Sequence, residues 1–376
     1  MTRRASGRRP SSRALGLAGL LSLAGCGGGG AAQQPSSPPS SPAPTTVATA
    51  EPTAPGPSPA PSADTTTPRA RDLVRPPEAS TVADLLALER PVIIAHAGGD
   101  LSAPHSTMFA YTEAALAGVD VLELDVMLTG DGVLVVQHDD TVDRTTESTG
   151  RVRDLTYDEL AALDNAYWFA GVWSDQSRPP EDYVYRGIRT GQRPPPPGYT
   201  PEDFRVETFR SIAEAFPDHV LDVEIKVPRN DAGEDDLAFA IEGARVLAAE
   251  IAELGRTDSV VVVSFSDEVL AAFRELAPDV ATSPGLDTLV AWYAGADVQF
   301  APQDVVFQVP PEYEGVEVLV AETIERARSD GFGVWVWMND ADTQENADFY
   351  AELAARGVDG LIVSRPAEAV ARLRPG

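Results

Sequence analysis

The sequence predicts an α/β fold, a (β/α)8 barrel of the TIM type interrupted by one long insertion, and three observations carry that prediction. Short apolar runs alternate with amphipathic helical runs over most of the chain. Chemically active side chains recur at the ends of the apolar runs, and the Pro- and Gly-rich sequence is gathered at the start instead of being spread through the domain. Repeated strand-helix units of this length imply a parallel sheet, and their number suits a closed barrel better than an open sheet. The 376 residues accommodate one such barrel, roughly 250 residues in the usual case, with appendages.

The first appendage is a leader, residues 1–25. Arg3, Arg4, Arg8, Arg9 and Arg13 precede an apolar run from Ala14 to Gly25 that is too short to span a bilayer as a mature helix. Leu23-Ala24-Gly25-Cys26 then resembles a lipobox, in which the thiol of Cys26, the sole cysteine, is acylated and becomes the new N-terminus. This predicts a lipoprotein of the cell envelope, anchored on the extracytoplasmic face of the membrane. Residues 26–79 are Gly, Ala, Pro, Ser and Thr with almost no large apolar side chains. They cannot bury enough surface to offset ordering, and read as a disordered tether. The formal net charge of -29 repels nucleic acid and anionic head groups and favours metal cations.

The barrel domain is expected over 80–376. Ser80-Thr81 caps a short helix, Val82 to Glu89, ahead of the first strand. Strands are predicted at Val92–Ala95, Val121–Met127, Val220–Lys226, Ser259–Ser264, Gly333–Met338 and Gly360–Val363, with two more within 280–309. Helical periodicity covers Met108–Ala117, Asp236–Leu254, Asp267–Leu276, Ala321–Asp330 and Thr343–Arg356. The insertion, about residues 165–204, is rich in Trp, Tyr, Arg and Pro. A loop of that length is a lid or binding loop, and Trp168, Trp173 and Tyr183 are either lid residues or its own small core.

In a parallel barrel the reactive groups sit at the C-terminal ends of strands. The first strand ends in Ala95-His96-Ala97-Gly98-Gly99, an imidazole beside a flexible glycine pair. Glu123-Leu124-Asp125 and Asp222-Val223-Glu224-Ile225-Lys226 put polar side chains on one face of their strands and apolar ones on the other. Carboxylates inside apolar strands are costly unless they hold a cation. Glu123, Asp125 and Glu224 are a suitable set for Ca²⁺ or Mg²⁺, while Asp222 reads as a supporting or structural residue. Another apolar run, Leu134-Val135-Val136, leads to His138. Two histidines and a hard cation at one mouth suit phosphoryl transfer: one imidazole deprotonates the attacking hydroxyl, the other protonates the leaving oxygen. His219, before the third strand, reads as structural.

His96-Ala97-Gly98, Glu123-Leu124-Asp125, Asp131-Gly132 with His138-Asp139, Arg144-Thr145-Thr146, Glu224-Ile225-Lys226 and Gly357-Val358-Asp359-Gly360, in that order, resemble the glycerophosphodiester phosphodiesterase family over about Val92 to Leu373. The resemblance implies a TIM barrel that hydrolyses glycerophosphodiesters to an alcohol and sn-glycerol 3-phosphate through a cyclic phosphate formed by the substrate's own hydroxyl. It implies His96 and His138 as acid and base, Glu123, Asp125 and Glu224 as ligands of a divalent cation, and Lys226 on the phosphate. Two departures stand out: the family's His-Arg-Gly and Glu-Asn-Thr are here His96-Ala97-Gly98 and His105-Ser106-Thr107. An arginine clamp and a nearby acid are lost together. His105, or an insertion cation such as Arg186 or Arg189, is expected to replace the clamp, and Trp337 is either an apolar wall for the substrate alcohol or core packing. The competing functions are a phospholipase D-like transphosphatidylase acting on a lysolipid or sphingolipid, and a non-catalytic surface-binding barrel.

Overall fold

The computed structural model describes residues 68–172 and 175–374. The leader, Cys26, most of the tether and Trp173 lie outside the described residues. Residues 68–79, expected in the tether, belong instead to the folded domain. The Ala70 N–H donates to the carbonyl of Gly198 (3.0 Å), Glu78 pairs with Arg90 (2.8 Å), and Ala79 is buried among core residues.

Eight parallel strands make the barrel, with an added hairpin partner and a separate small ribbon. In chain order they are β1 (Val92–Ala95), β2 (Val121–Leu128), β3 (Leu134–Val136), β4 (Val220–Ile225), β5 (Val260–Val263), β6 (Ala281–Thr282), β7 (Val306–Val309), the ribbon β8 (Glu312–Tyr313) and β9 (Val316–Glu317), β10 (Gly333–Trp337) and β11 (Gly360–Val363). Pairing runs β6-β5-β4-β2-β1-β11-β10-β7, all parallel, while β3 folds back antiparallel on β2. The ring closes because the short β6 also bridges the segment leading into β7, where Thr282 donates to Gln303 (2.8 Å) and accepts from Val305 (3.0 Å).

The helices are α1 (Val82–Leu86), α2 (Met108–Ala117), α3 (Tyr157–Ala162), α4 (Phe209–Ala215), α5 (Leu237–Glu253), α6 (Asp267–Leu276), α7 (Leu286–Tyr293), α8 (Ala321–Ser329), α9 (Ala347–Arg356) and α10 (Pro366–Leu373). Most starts are set by a side-chain cap, which satisfies the orphan N–H groups of the first turn. Thr107 caps α2 by accepting from Ala110, and Asn346 caps α9 by accepting from Phe349. That cap explains why α9 begins at Ala347 and not at Thr343.

Strand alternation sorts the side chains. Val92, Ile94, Val121, Val220, Val261, Val306, Trp335 and Ile362 form one buried cluster with Val82 and Leu85 of α1, which plugs the lower barrel. Their strand neighbours, such as Ile93, Leu122, Leu221 and Phe307, pack in the separate layer between sheet and helices. Leu85 is 1% exposed, and truncating such a residue to Ala costs about 2–5 kcal/mol. The same parity carries the upper barrel. Glu123 and Asp125 share the inward face of Val121, Asp222 and Glu224 that of Val220, Gln308 that of Val306, and Trp337 that of Trp335. The lower interior is thus aliphatic and the upper interior ionic.

Candidate active site

His96 follows β1 directly, and the chain then turns sharply through three left-handed residues, Ala97 (φ 45), Gly98 (φ 81) and Gly99 (φ 100). The glycine pair is not slack: a Cβ on Gly98 would lie 2.9 Å from that of Ala110, and one on Gly99 would lie 2.7 Å from Pro366. Ala97 accepts the cost of a left-handed backbone, about 1–2 kcal/mol, while its N–H donates to Glu123 Oε2 (2.6 Å) and its carbonyl accepts from Ser106 (2.9 Å). The turn brings Asp100 back onto the ring of His96, Oδ1 to Nδ1 3.2 Å. Burial works against a charged His96, but Asp100, Glu123 and Asp125 outweigh it and raise its pKa to about 10. Asp100, although buried, is held down to about 2 by His96 and Ser364.

Glu123 and Asp222 are register partners on β2 and β4, as are Asp125 and Glu224 one step higher. Two of these four carboxylates share one ammonium: Lys226 Nζ lies 2.9 Å from Asp125 Oδ1 and 3.0 Å from Glu224 Oε1. Burial and the charge of Asp125 push Glu123 well above the usual carboxylate range. Burial also raises Asp222 to about 7, although Gln308 donates to its Oδ1 (2.8 Å). Asp125 is driven the other way, burial being outweighed by Lys226, His138 and His96. Asp125 Oδ2 and Asp222 Oδ2 are buried with no hydrogen-bond partner among the described residues. The site is short of positive charge, and its donors are hard oxygens, so Glu123, Asp125 and Glu224 fit a hard divalent cation chemically. Among the described residues no three His, Cys, Asp or Glu side chains already converge as a ligand cluster. Lys226 now bridges two of the carboxylates, and Glu123 is turned to the N–H of Ala97.

His138 leaves β3 beside this cluster, because the Gln137 N–H donates to the carbonyl of Asp125 (2.9 Å). Its Nδ1 is 2.7 Å from Asp139 Oδ1, and Arg144 grips both oxygens of Asp139, Nε to Oδ2 at 2.5 Å and Nη2 to Oδ1 at 3.0 Å. The rings of His96 and His138 are 6.1 Å apart at 74°. Each has Nδ1 on its own carboxylate. A ring nitrogen so placed carries the proton, which leaves Nε2 of each imidazole clear of its carboxylate.

The structure therefore brings His96, His138, Glu123, Asp125, Glu224 and Lys226 to one mouth. Trp337 ends β10 there, half-buried, with its ring 6.1 Å from the exposed Phe265 of the β5-α6 loop. His105 needs a correction. It is buried, its Nδ1 engages Ser106 Oγ (3.0 Å), and burial followed by the charge of Arg144 lowers its pKa to about 3. A neutral ring is no cationic clamp, although its buried Nε2 has no hydrogen-bond partner among the described residues. Neither insertion arginine takes that place. The guanidinium of Arg186 stacks on Tyr167, Trp168 and Tyr183 at 4.3, 4.5 and 4.0 Å and donates to the carbonyl of Tyr167. Arg189 is tied to the carbonyl of Ala161 and to Glu202. Phe109 of α2 with Ile188, Phe204, Tyr185 and Tyr199 gives the insertion a small core of its own. His219 lies at the opposite end of the barrel, buried before β4.

Sequence reasoning missed four residues. Asp139 adjoins His138, and Arg144 stands in a quoted motif, so both had a signal without a role. Gln308 is a polar residue inside an apolar run. Asp100 had no signal, because only the left-handed turn returns it to His96.

A family model for the glycerophosphoryl diester phosphodiesterase family matches residues 96–368. A glycerophosphodiester phosphodiesterase of Bacillus subtilis is 25% identical over 298 residues, covering 78% of this chain and 90% of its own. One of Caldanaerobacter subterraneus is 26% identical over 298 residues, 76% of this chain and 99% of its own. Among solved structures, a phosphodiesterase of Oleispira antarctica in complex with the product sn-glycerol-3-phosphate superposes with a TM-score of 0.55 at 18% identity, covering 76% of this chain and 98% of its own.

Proposed function

The chain belongs to the glycerophosphoryl diester phosphodiesterase family, and on that premise we propose that it cleaves glycerophosphodiesters with His138 as base and His96 as acid. The observation that carries the roles is the imidazole pair, each Nδ1 fixed on its own carboxylate beside an anionic cluster. His96, charged at neutral pH, suits the donor. His138, whose carboxylate is already neutralised by Arg144, suits the acceptor.

In the first step His138 Nε2 takes the proton of the glycerol hydroxyl next to the ester, and that oxygen attacks phosphorus. The bond to the alcohol breaks, and its oxygen takes the proton of His96 Nε2. The proton roles then reverse: His96 deprotonates a water, His138 protonates the ring oxygen, and the cyclic phosphate opens to sn-glycerol 3-phosphate. Glu123, Asp125 and Glu224 would hold a divalent cation, Ca²⁺ or Mg²⁺, which when bound supplies neutralising charge at the phosphate oxygens. Lys226 adds a second positive charge there, and Trp337 with Phe265 offers an apolar wall to the alcohol. The Bacillus and Caldanaerobacter relatives, both named for this reaction, and the Oleispira neighbour solved with sn-glycerol-3-phosphate support the substrate class.

We further propose that Cys26 is lipidated, so that the barrel works from the extracytoplasmic face of the membrane on a tether. The leader and lipobox-like residues support this. Cys26→Ser should release the protein from the membrane fraction. The catalytic reading is tested by a panel of phosphodiesters assayed with and without chelator. Turnover of a glycerophosphodiester that chelator and His138→Ala each abolish is the expected result. Accumulation of a cyclic phosphate as the final product would replace hydrolysis with transphosphatidylation, and no turnover of any diester would replace catalysis with binding.

A further inference from the structure

We propose that Arg144 is a positioning residue for the base, fixing the plane of Asp139 and through it the aim of the His138 imidazole. The inference rests on the base role given to His138 above.

The two catalytic histidines are held by different devices. Asp100, which pairs with His96, is enclosed by the fold and only 6% exposed. Asp139, which orients His138, is 26% exposed, and the His138 side chain itself is 41% exposed. Packing cannot hold that pair. Among the described residues the donors on Asp139 are His138 and Arg144 alone, so without Arg144 the carboxylate would rotate towards water. The planar guanidinium fork, engaging both oxygens, removes that freedom in a way a point charge cannot.

The fork is in turn anchored by its loop. Val142, fully buried, lies between Asp139 and Arg144. Its carbonyl accepts from the N–H groups of Thr145 (3.4 Å) and Thr146 (3.1 Å) and from Thr146 Oγ1 (3.0 Å). Its own N–H donates to Gly150 (3.0 Å), and Val152 donates to the carbonyl of Asp140 (2.9 Å). The backbone under Asp139 and Arg144 is therefore a closed knot. Burial raises the Asp139 carboxyl, but the hydrogen bonds of His138 and Arg144 overcome it and keep the group well below the usual range. Because Nε and Nη2 are both spent on Asp139, this edge of the guanidinium is not offered to substrate, and Arg144 acts through His138.

The test compares Arg144→Gln, Arg144→Lys, Asp139→Asn, His138→Asn and His96→Asn on two glycerophosphodiesters, one with an alkyl alcohol and one with p-nitrophenol as leaving group. A misaimed base costs up to about 100-fold. Arg144→Gln should therefore lower kcat by about 10- to 100-fold on both substrates, with KM within about twofold. Asp139→Asn should match it, Arg144→Lys should recover only part, and free guanidinium should restore part of the Arg144→Gln rate. In the first-turnover release of nitrophenol, a leaving group that needs no acid, His96→Asn should lose most of its deficit, while its opening of the cyclic phosphate stays slow. The inference is overturned if Arg144→Gln keeps wild-type kcat, if its defect lies in KM as for a phosphate contact, or if it lowers only the melting temperature. It is equally overturned if p-nitrophenol abolishes the Arg144→Gln defect, which would put Arg144 on the acid side. An inert His138→Asn beside an unaffected Arg144→Gln sinks this inference alone. An active His138→Asn sinks the base assignment and the inference with it.

Discussion

Asp100→Asn removes a charge from the ring of His96 and leaves a side chain of nearly the same shape. In the native site His96 is raised from 6.5 to about 10, burial lowering it and Asp100 being the largest of the opposing influences. An acid works while protonated, so its contribution falls as pH rises through its pKa. At pH 8 a group of pKa about 10 is ~99% protonated, and one returned to 6.5 is ~3% protonated, a ceiling of about 30-fold on the loss. A cation held by Glu123 and Asp125 would cancel most of their pull on the ring and leave Asp100 as its main opposing charge, so a loss of about 3- to 30-fold at pH 8 is expected, shrinking towards pH 6. The assay is kcat/KM against pH from 6 to 9.5 on a diester of an alkyl alcohol. The descending limb should move to lower pH in the variant. On a p-nitrophenyl diester the difference should nearly vanish. A variant profile that superimposes on the wild type, or a limb displaced to higher pH, would refute the argument that Asp100 holds His96 in its acid form.

The opposite end of the barrel makes a separate prediction about stability. His219 is buried and its pKa is lowered from 6.5 to about 4, burial being the main cause. The unfolded chain binds a proton there from about pH 6.5, and the folded one only near pH 4, so stability falls with pH across that window. The loss reaches about 3 kcal/mol by pH 4, and urea titrations of His219→Gln should lack that part of the slope. Arg256 is buried in the same region and donates to Ser259 Oγ (2.7 Å) and to the carbonyls of Ala213 (2.8 Å), Phe216 (3.3 Å) and His219. Arg256→Met should destabilise by about 2–4 kcal/mol with unchanged kcat per folded molecule, measured by urea unfolding and active-site titration. Ca²⁺ or Mg²⁺ should raise the melting temperature, by the equivalent of about 2.7 kcal/mol at a hundredfold excess over Kd. Asp125→Asn should lose that shift in a thermal scan.

The parts of the molecule legible in its sequence are those fixed by local periodicity. The strands at Val92–Ala95 and Gly360–Val363 and the helices at Met108–Ala117 and Asp267–Leu276 have the bounds their apolar patterns predict. The barrel itself followed from counting such units. The weak stretch, 280–309, holds a β6 of only two residues, whose bridging is completed by Gln303 and Val305 from beyond α7. No local pattern announces that closure. Helices α3 and α4, six and seven residues long, are too short for a periodic signal and are defined by their threonine caps. In the site, the carboxylates were legible from strand alternation, which is local. The neutral state of His105 was not, since it depends on burial and on Arg144 arriving from another loop. Gln308 meets Asp222 across 86 residues of sequence, and Asp100 meets His96 only because Ala97, Gly98 and Gly99 all turn left-handed. The domain boundary was misplaced for a similar reason: residues 68–79 have tether-like composition and are ordered by contacts with Gly198 and Arg90.

The central claim is that two imidazoles, each held by its own carboxylate, carry hydrolysis of a glycerophosphodiester. Phosphorus NMR of a turnover mixture follows substrate, any cyclic intermediate and product at once. The account predicts conversion to sn-glycerol 3-phosphate by the wild type, and at least about a thousandfold slower conversion by His96→Asn and by His138→Asn, with native circular dichroism in both. Conversion by either folded variant within tenfold of the wild type would contradict it.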